Sequence, residues 1–180
     1  MKTLKTCFAL STLIAVGILA GCASQVKSAD VHDTLQDSLR NAGLKDVSVS
    51  QDREKGVVTL GGHVAIDSDR VQAESIARFI VRDQVVANQI AVVPPGAESE
   101  AKAVNSDLDQ GIEKNLDAAL IKSNLRKNVS FSVKSGVVTL TGEVNSQAQR
   151  TATADVASRV PNVRQAVNAL QVKDQKASSN

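Results

Sequence analysis

Tryptophan and tyrosine are absent from the 180 residues, and phenylalanine occurs three times, as Phe8, Phe79 and Phe131. An aromatic share of 2% nearly excludes functions built on aromatic platforms, such as sugar stacking or single-stranded nucleic-acid binding. The two cysteines, Cys7 and Cys22, both lie near the N-terminus, which leaves no disulfide framework and no thiolate metal site. Two histidines, His32 and His63, are too few for a multi-histidine metal centre. A bilayer-crossing helix needs about 20 apolar residues, and the run from Phe8 to Ala20 has thirteen. What is present suffices for folding: 42% apolar and 22% charged residues support at least one packed core.

The short apolar run follows Lys2 and Lys5 and reads as the h-region of an export signal. It ends in Leu19-Ala20-Gly21-Cys22, which resembles the lipobox of bacterial lipoproteins in every position. That resemblance implies removal of residues 1–21, alkylation of the Cys22 thiol with diacylglycerol, and a lipidated tether over residues 22–29. Ala23 stands where lipoproteins retained at the inner membrane usually carry Asp, so the same resemblance implies the outer membrane, facing the periplasm. Each buried methylene contributes about 0.8 kcal/mol, so one acyl chain binds reversibly while two or three hold firmly.

The mature chain repeats itself. Gly56-Val57-Val58-Thr59-Leu60-Gly61-Gly62-His63-Val64 returns as Gly136-Val137-Val138-Thr139-Leu140-Thr141-Gly142-Glu143-Val144, identical at seven of nine positions with an offset of 80. Val47 to Ser50 mirrors Val129 to Ser132, and Asn88 to Val92 mirrors Asn168 to Val172. A tandem duplication follows. Each copy reads helix, strand, strand, helix, strand. In the first, Asp30 is placed to cap a helix with the stripe Val31, Leu35 and Leu39, and Gly43 to end it. Val58, Leu60 and Val64 share one face of a hairpin strand. Asp67 is placed to cap a second helix presenting Ala73, Ile76, Ala77 and Ile80, and Val85 to Val93 is the closing strand.

In the second copy, Ser106 with Asp109 reads as a capping box before Leu108, Ile112, Leu116 and Leu120, and Gly111 predicts fraying near that start. Ser146 with Gln149 forms a second box, Pro161 stops the helix, and Val163 to Val172 closes the unit. The expected architecture is α+β: two tandem small αββαβ sandwich domains after a lipoprotein signal peptide, over residues 30–93 and 106–173. Residues 94–105, opening with Pro94-Pro95-Gly96, read as a linker, and 174–180 as a disordered tail.

This arrangement resembles the BON domain, a small module of bacterial envelope proteins. Gly56 to Leu60 with Gly62, their partners from Gly136 to Gly142, and the closing Val163, Val167, Asn168, Leu170 and Val172 carry the resemblance. The first copy departs at Asp83, where the second holds Val163. The whole layout looks like dual-BON outer-membrane lipoproteins and, less closely, osmotically inducible periplasmic BON proteins. It implies phospholipid binding and maintenance of envelope integrity under stress, without catalysis.

No residue set carries chemistry by its spacing. Gly61-Gly62 falls inside a strand, with neither Walker nor dinucleotide spacing. Gly56 and Gly136 read as turn residues, and Gly62 and Gly142 as sites of close packing. Asn88 and Asn168 read as amides satisfying backbone groups near the third strand. No catalytic residue, metal or cofactor is expected. Charge is more telling. Residues 30–93 carry seven Lys/Arg against ten Asp/Glu, net −3, and residues 106–173 carry nine against six, net +3.

Lys122, Arg126 and Lys127 after the first helix of the second copy, with Arg159 and Arg164, therefore stand as candidate contacts to anionic lipid. Tethering through Cys22 would make that contact effectively intramolecular, with the linker letting the second copy reach back. Without Trp or Tyr, contact is expected through charge and aliphatics alone, and to weaken with salt. The alternative is an adaptor that binds outer-membrane or other proteins through exposed β-edges, with the opposite charges docking one copy onto the other. A neutral mature chain without stacking residues argues against nucleic acid.

Overall fold

Apolar residues at every second position, either side of a tight turn, give the first hairpin. Strands β1 (Val47–Asp52) and β2 (Val57–Val64) pair antiparallel, Val47 opposite Gly62 and Asp52 opposite Val57. This comes from a computed structural model of the chain, which describes residues 27–173. The expected export signal, Cys22 and the tail from Asp174 lie outside the described residues. Before the hairpin stands α1 (His32–Asn41), and after it α2 (Asp67–Ile80) crosses to β3 (Val85–Asn88) and β4 (Ala91–Val92), both parallel to β2. The second domain repeats this with α3 (Glu98–Lys122), β5 (Val129–Lys134), β6 (Val137–Val144), α4 (Gln147–Ser158) and β7 (Gln165–Val172). Strand orders are β1-β2-β3 and β5-β6-β7, with the duplicated strand at each centre. Helices cover one face of each sheet, over cores of Leu35, Leu39, Val58, Leu60 and Ala77 in the first domain and Ile112, Leu116, Leu120, Leu140 and Leu170 in the second.

Several local expectations need correction. Residues 94–105 are not a free linker, because α3 begins at Glu98 and runs 25 residues without a break. Only Pro94 to Ala97 lies between β4's end and that helix, apart from Val93. Residues 98–104 are rich in Glu, Ala and Lys, which propagate a helix once its C-terminal half is packed. The helix therefore passes through Gly111 instead of fraying, and Leu108 on its extended half is exposed. The Ser106–Asp109 box does not form. Asp109 instead accepts the backbone N–H groups of Ser135 and Gly136, both at 2.8 Å, and fastens the β5–β6 turn to α3. Asp67 lies inside the first turn of α2, where its charge meets the helix dipole without a capping bond. Asp30 sits one residue outside α1's cap and accepts from His32 N–H at 3.3 Å. Ser146 does cap α4, accepting from Gln149 N–H at 3.1 Å, while Gln149 Oε1 accepts from Asn145 N–H. The closing strand of the first domain is interrupted at Gln89–Ile90, whereas β7 is continuous.

The two sheets lie back to back. Val57 and Ala87 from the first meet Val137, Val167 and Ala169 from the second in a buried cluster. Val57 with Val137, and Ala87 with Val167, are duplicated positions at the offset of 80, so each domain offers equivalent residues to the seam. Gln165 fastens it. Its Nε2 donates to the Val86 carbonyl at 2.8 Å and its Oε1 accepts from Asn88 N–H at 3.0 Å, as an added strand would. The opposite charges of the copies play no pairing role here: every ion pair among the described residues lies within one domain.

Candidate functional site

The duplicated asparagines tie each closing strand to the helix above it. Asn168 Nδ2 donates to the Arg150 carbonyl at 3.0 Å, and its Oδ1 accepts from Leu170 N–H. Asn88 does the same toward the Arg70 carbonyl and Ile90 N–H, and adds a 2.9 Å bond to Glu74 Oε2. Gly62 and Gly142 take φ of +91° and +116°, and a Cβ there would lie 2.0 Å from the Asp46 carbonyl oxygen or 2.2 Å from that of Asn128. These shared features are scaffolding.

Four of the edge strands, β1, β3, β5 and β7, have some backbone groups taken by a side chain. Gln36 spans β1, donating to the Val47 carbonyl and accepting from Val49 N–H, both at 3.1 Å. Gln165 covers β3. Arg126 donates to the Val129 carbonyl at β5, and Arg150 to the carbonyls of Asn168 and Leu170 at β7. Client-strand addition, the physical basis of the adaptor alternative, would have to displace these side chains at the positions they occupy.

Back-to-back docking runs the sheets in opposite directions and defines two poles. At one, the incoming chain is held by the first domain. Ser28 N–H donates to the Arg53 carbonyl at 3.0 Å, and the Ala29 carbonyl accepts from Gln51 and Gln84. The expected tether is thus bound from Ser28 onward. Beside the β1–β2 turn, Glu54 and Lys55 line a recess of about 240 Å³ with Gly142 and Glu143 at the far end of β6. The second domain therefore brings the end of α3 and the loop before β5 to this tether pole. At the opposite pole, a cleft of about 550 Å³ opens between His63 and Val93 of the first domain and Asp109, Lys134 and Ser135 of the second.

The sequence of the BON domain family matches residues 27–94 and again 108–174, most of the chain. The chain belongs to the BON domain family. No curated protein matches it. Among solved structures it is similar to the C-terminal domain of CdsD, a structural protein of the type III secretion system of Chlamydia trachomatis. That similarity has 13% identity and a TM-score of 0.33, over 79% of this chain and 67% of the other. A second CdsD structure gives 14% identity and a TM-score of 0.33, over 79% of this chain and 61% of that one. BON domains are binding modules of a non-catalytic type, associated with membranes and phospholipid. Among the described residues no helix is long and apolar enough to cross a membrane.

The five cationic candidates do not form one site. Lys122, Arg126 and Lys127 lie at the tether pole of the second BON domain, and Arg159 and Arg164 at the opposite pole. Arg126 is committed to the fold, paired with Asp117 at 2.6 Å and stacked over Phe131 at 5.2 Å. Arg164 donates to the Ser135 carbonyl at 2.7 Å. It also lines a recess of about 130 Å³ with Arg70 and Glu74 of the first BON domain, which puts it at the rim of the seam, and partial burial with the nearby Arg70 depresses its pKa. Lys122, Lys127 and Arg159 are exposed and enter no ion pair among the described residues. Phe79, which the sequence reading leaves out of the candidate contacts, is exposed at the tether pole. It lies off the core stripe of α2, and a lone aromatic outside the periodic pattern is the one signal that could have exposed it.

Glu74 gives the first BON domain an acid limit. Burial pushes its carboxyl up, but bonds from Asn88 and Arg78, with the nearby Arg70, outweigh this and hold it below the usual range. A lowered folded-state pKa contributes stability that is complete above the unfolded value and lost as pH falls through the folded one. Urea unfolding followed from pH 7 to 3 should show stability falling below about pH 5, with a shallower fall in Glu74→Gln. An unchanged slope in that variant would remove Glu74 from the account.

Proposed function

We propose that this chain is a lipid-anchored, periplasm-facing protein of the bacterial outer membrane that binds phospholipid and supports envelope integrity. It does so without catalysis, and its second BON domain meets anionic head groups through the end of α3 and the loop that follows. The carrying observation is the position of Lys122 and Lys127: exposed, without a carboxylate partner among the described residues, and on the pole where the tether enters. Ile121, 57% exposed, stands beside them. The lipobox at Cys22 and membership of the BON family support the same reading. Because α3 and the seam replace a flexible linker, the second domain does not swing back to the bilayer. It is held facing it.

Each Lys near an anionic surface contributes about 1 kcal/mol, so reversing both should weaken binding at least roughly thirtyfold. The test uses the mature chain with Cys22→Ala on phosphatidylglycerol and phosphatidylcholine vesicles. Binding to the anionic vesicles alone is expected, falling with salt and lost in Lys122→Glu/Lys127→Glu. Arg159→Glu, at the opposite pole, should change little. Equal binding to neutral vesicles, or no loss in the double variant, would overturn the proposal.

A further inference from the structure

Phe79 is 81% exposed, the highest value for a large apolar side chain among the described residues. It occupies the last turn of α2, and the connection that follows holds the Ala29 carbonyl through Gln84 at 3.0 Å. It thus stands at the pole from which the chain runs back to Cys22. Six residue steps separate Cys22 from Ser28, at most about 20 Å of extended chain.

The duplication gives this position a control. At the offset of 80, Phe79 corresponds to Arg159, which antiparallel docking places at the opposite pole. The first helices align through equivalent closing bonds, Leu44 N–H to the Leu39 carbonyl and Leu125 N–H to that of Leu120, each 2.9 Å. In that alignment Ile121 at the tether pole corresponds to Arg40 at the opposite one. Twice, a duplicated position carries a large apolar side chain beside the tether and an arginine away from it.

Charge does not explain the Phe79 face. Around it Arg78 pairs with Glu74, Arg53 with Asp30, Lys55 with Asp52 and Lys27 with Glu54, while Arg82 adjoins Asp83. Asp33, bonded to His32 in the first turn of α1, adds one further carboxylate, so the first domain brings no positive charge in excess to this pole. Ile66, Val104 and Leu108 are also exposed, toward the other pole, and supply the competing surface.

We infer that Phe79 is a second membrane contact, an apolar side chain of the first BON domain that enters the interfacial layer of the bilayer holding the anchor. It acts independently of lipid charge, as apolar faces of interfacial helices do. The molecule then rests on two points, Phe79 in one domain and Ile121 with its lysines in the other. The inference relies on the lipidated Cys22 of the proposed function but not on its preference for anionic head groups.

The absence of tryptophan makes the test clean. Full-length lipidated protein carrying Phe79→Trp, Ile121→Trp or Val104→Trp is reconstituted into vesicles, with circular dichroism confirming the fold. Quenching by head-group-region nitroxide lipids is then read. The position-79 reporter should be blue-shifted and quenched in phosphatidylcholine vesicles with or without phosphatidylglycerol, and should stay so at high salt. The position-121 reporter should respond only with phosphatidylglycerol present, and position 104 should stay in water. A water-exposed position 79 beside a quenched position 121 overturns this inference and leaves the lipid reading standing. A quenched position 79 beside a position 121 that ignores phosphatidylglycerol supports it while removing the anionic preference. Quenching at position 104 instead would overturn both.

Discussion

Replacing Gly62 by alanine is expected to cost the first domain on the order of 3–5 kcal/mol, enough to unfold it or nearly so. Two effects act together. The backbone sits at φ +91°, where an L side chain is strained, and the new Cβ would lie 2.0 Å from the Asp46 carbonyl oxygen. That oxygen belongs to the backbone entering β1 and cannot turn aside like a flexible side-chain tip. Gly142→Ala should do the same to the second domain, against the Asn128 carbonyl at 2.2 Å. Gly111→Ala is the counter-case: within α3, with nothing within 4 Å of the added carbon, it should stabilise by about 1 kcal/mol. Urea unfolding of the three variants checks the set. A mild loss at position 62 would mean that the β1–β2 approach relaxes easily.

Val167→Asp should open the seam between the domains. Val167 is 1% exposed, in the apolar cluster of Val57, Ala87, Val137 and Ala169. An unpaired carboxylate there costs several kcal/mol unless water reaches it. Separation of the sheets is the cheapest way to admit water, since each domain keeps its own core. Small-angle scattering should show expansion, and unfolding should resolve into two transitions. Scattering like that of the unchanged protein would show that Gln165 and the rest of the seam hold without Val167.

The units themselves were legible because their signals are local. Alternation in Val57 to Val64 and fourfold spacing in Leu35 and Leu39 each report one sheet face or helix stripe, and Ser146 with Gln149 complete a box within one turn. Asp109 was misread for the opposite reason: its partners are Ser135 and Gly136, far along the chain, and nothing near Asp109 announces them. The first half of α3 escaped notice because Pro94-Pro95-Gly96 and the polar residues after it read as a linker, although Val104 and Leu108 continue the fourfold spacing of Ile112, Leu116 and Leu120 and lie exposed beyond the core. The seam was written at Val57 and Val137, apolar on the face away from the helices, yet such residues are ordinary in strands. Arg126 and Arg164 counted as free cations because composition cannot tell a guanidinium bound to a carbonyl from one in water.

Seating an amide or guanidinium on four strand margins has a consequence for a protein anchored as proposed above. Proteins confined to one leaflet meet side by side, in similar orientation and at high areal density, the circumstances that favour zipping of one ribbon onto the next. A neighbour approaching in that plane would have to displace Gln36, Arg126, Arg150 or Gln165 before a ladder could run through the positions they hold. With the anchoring proposed above, crowding would meet this resistance at four of the margins, which disfavours the start of a fibre there.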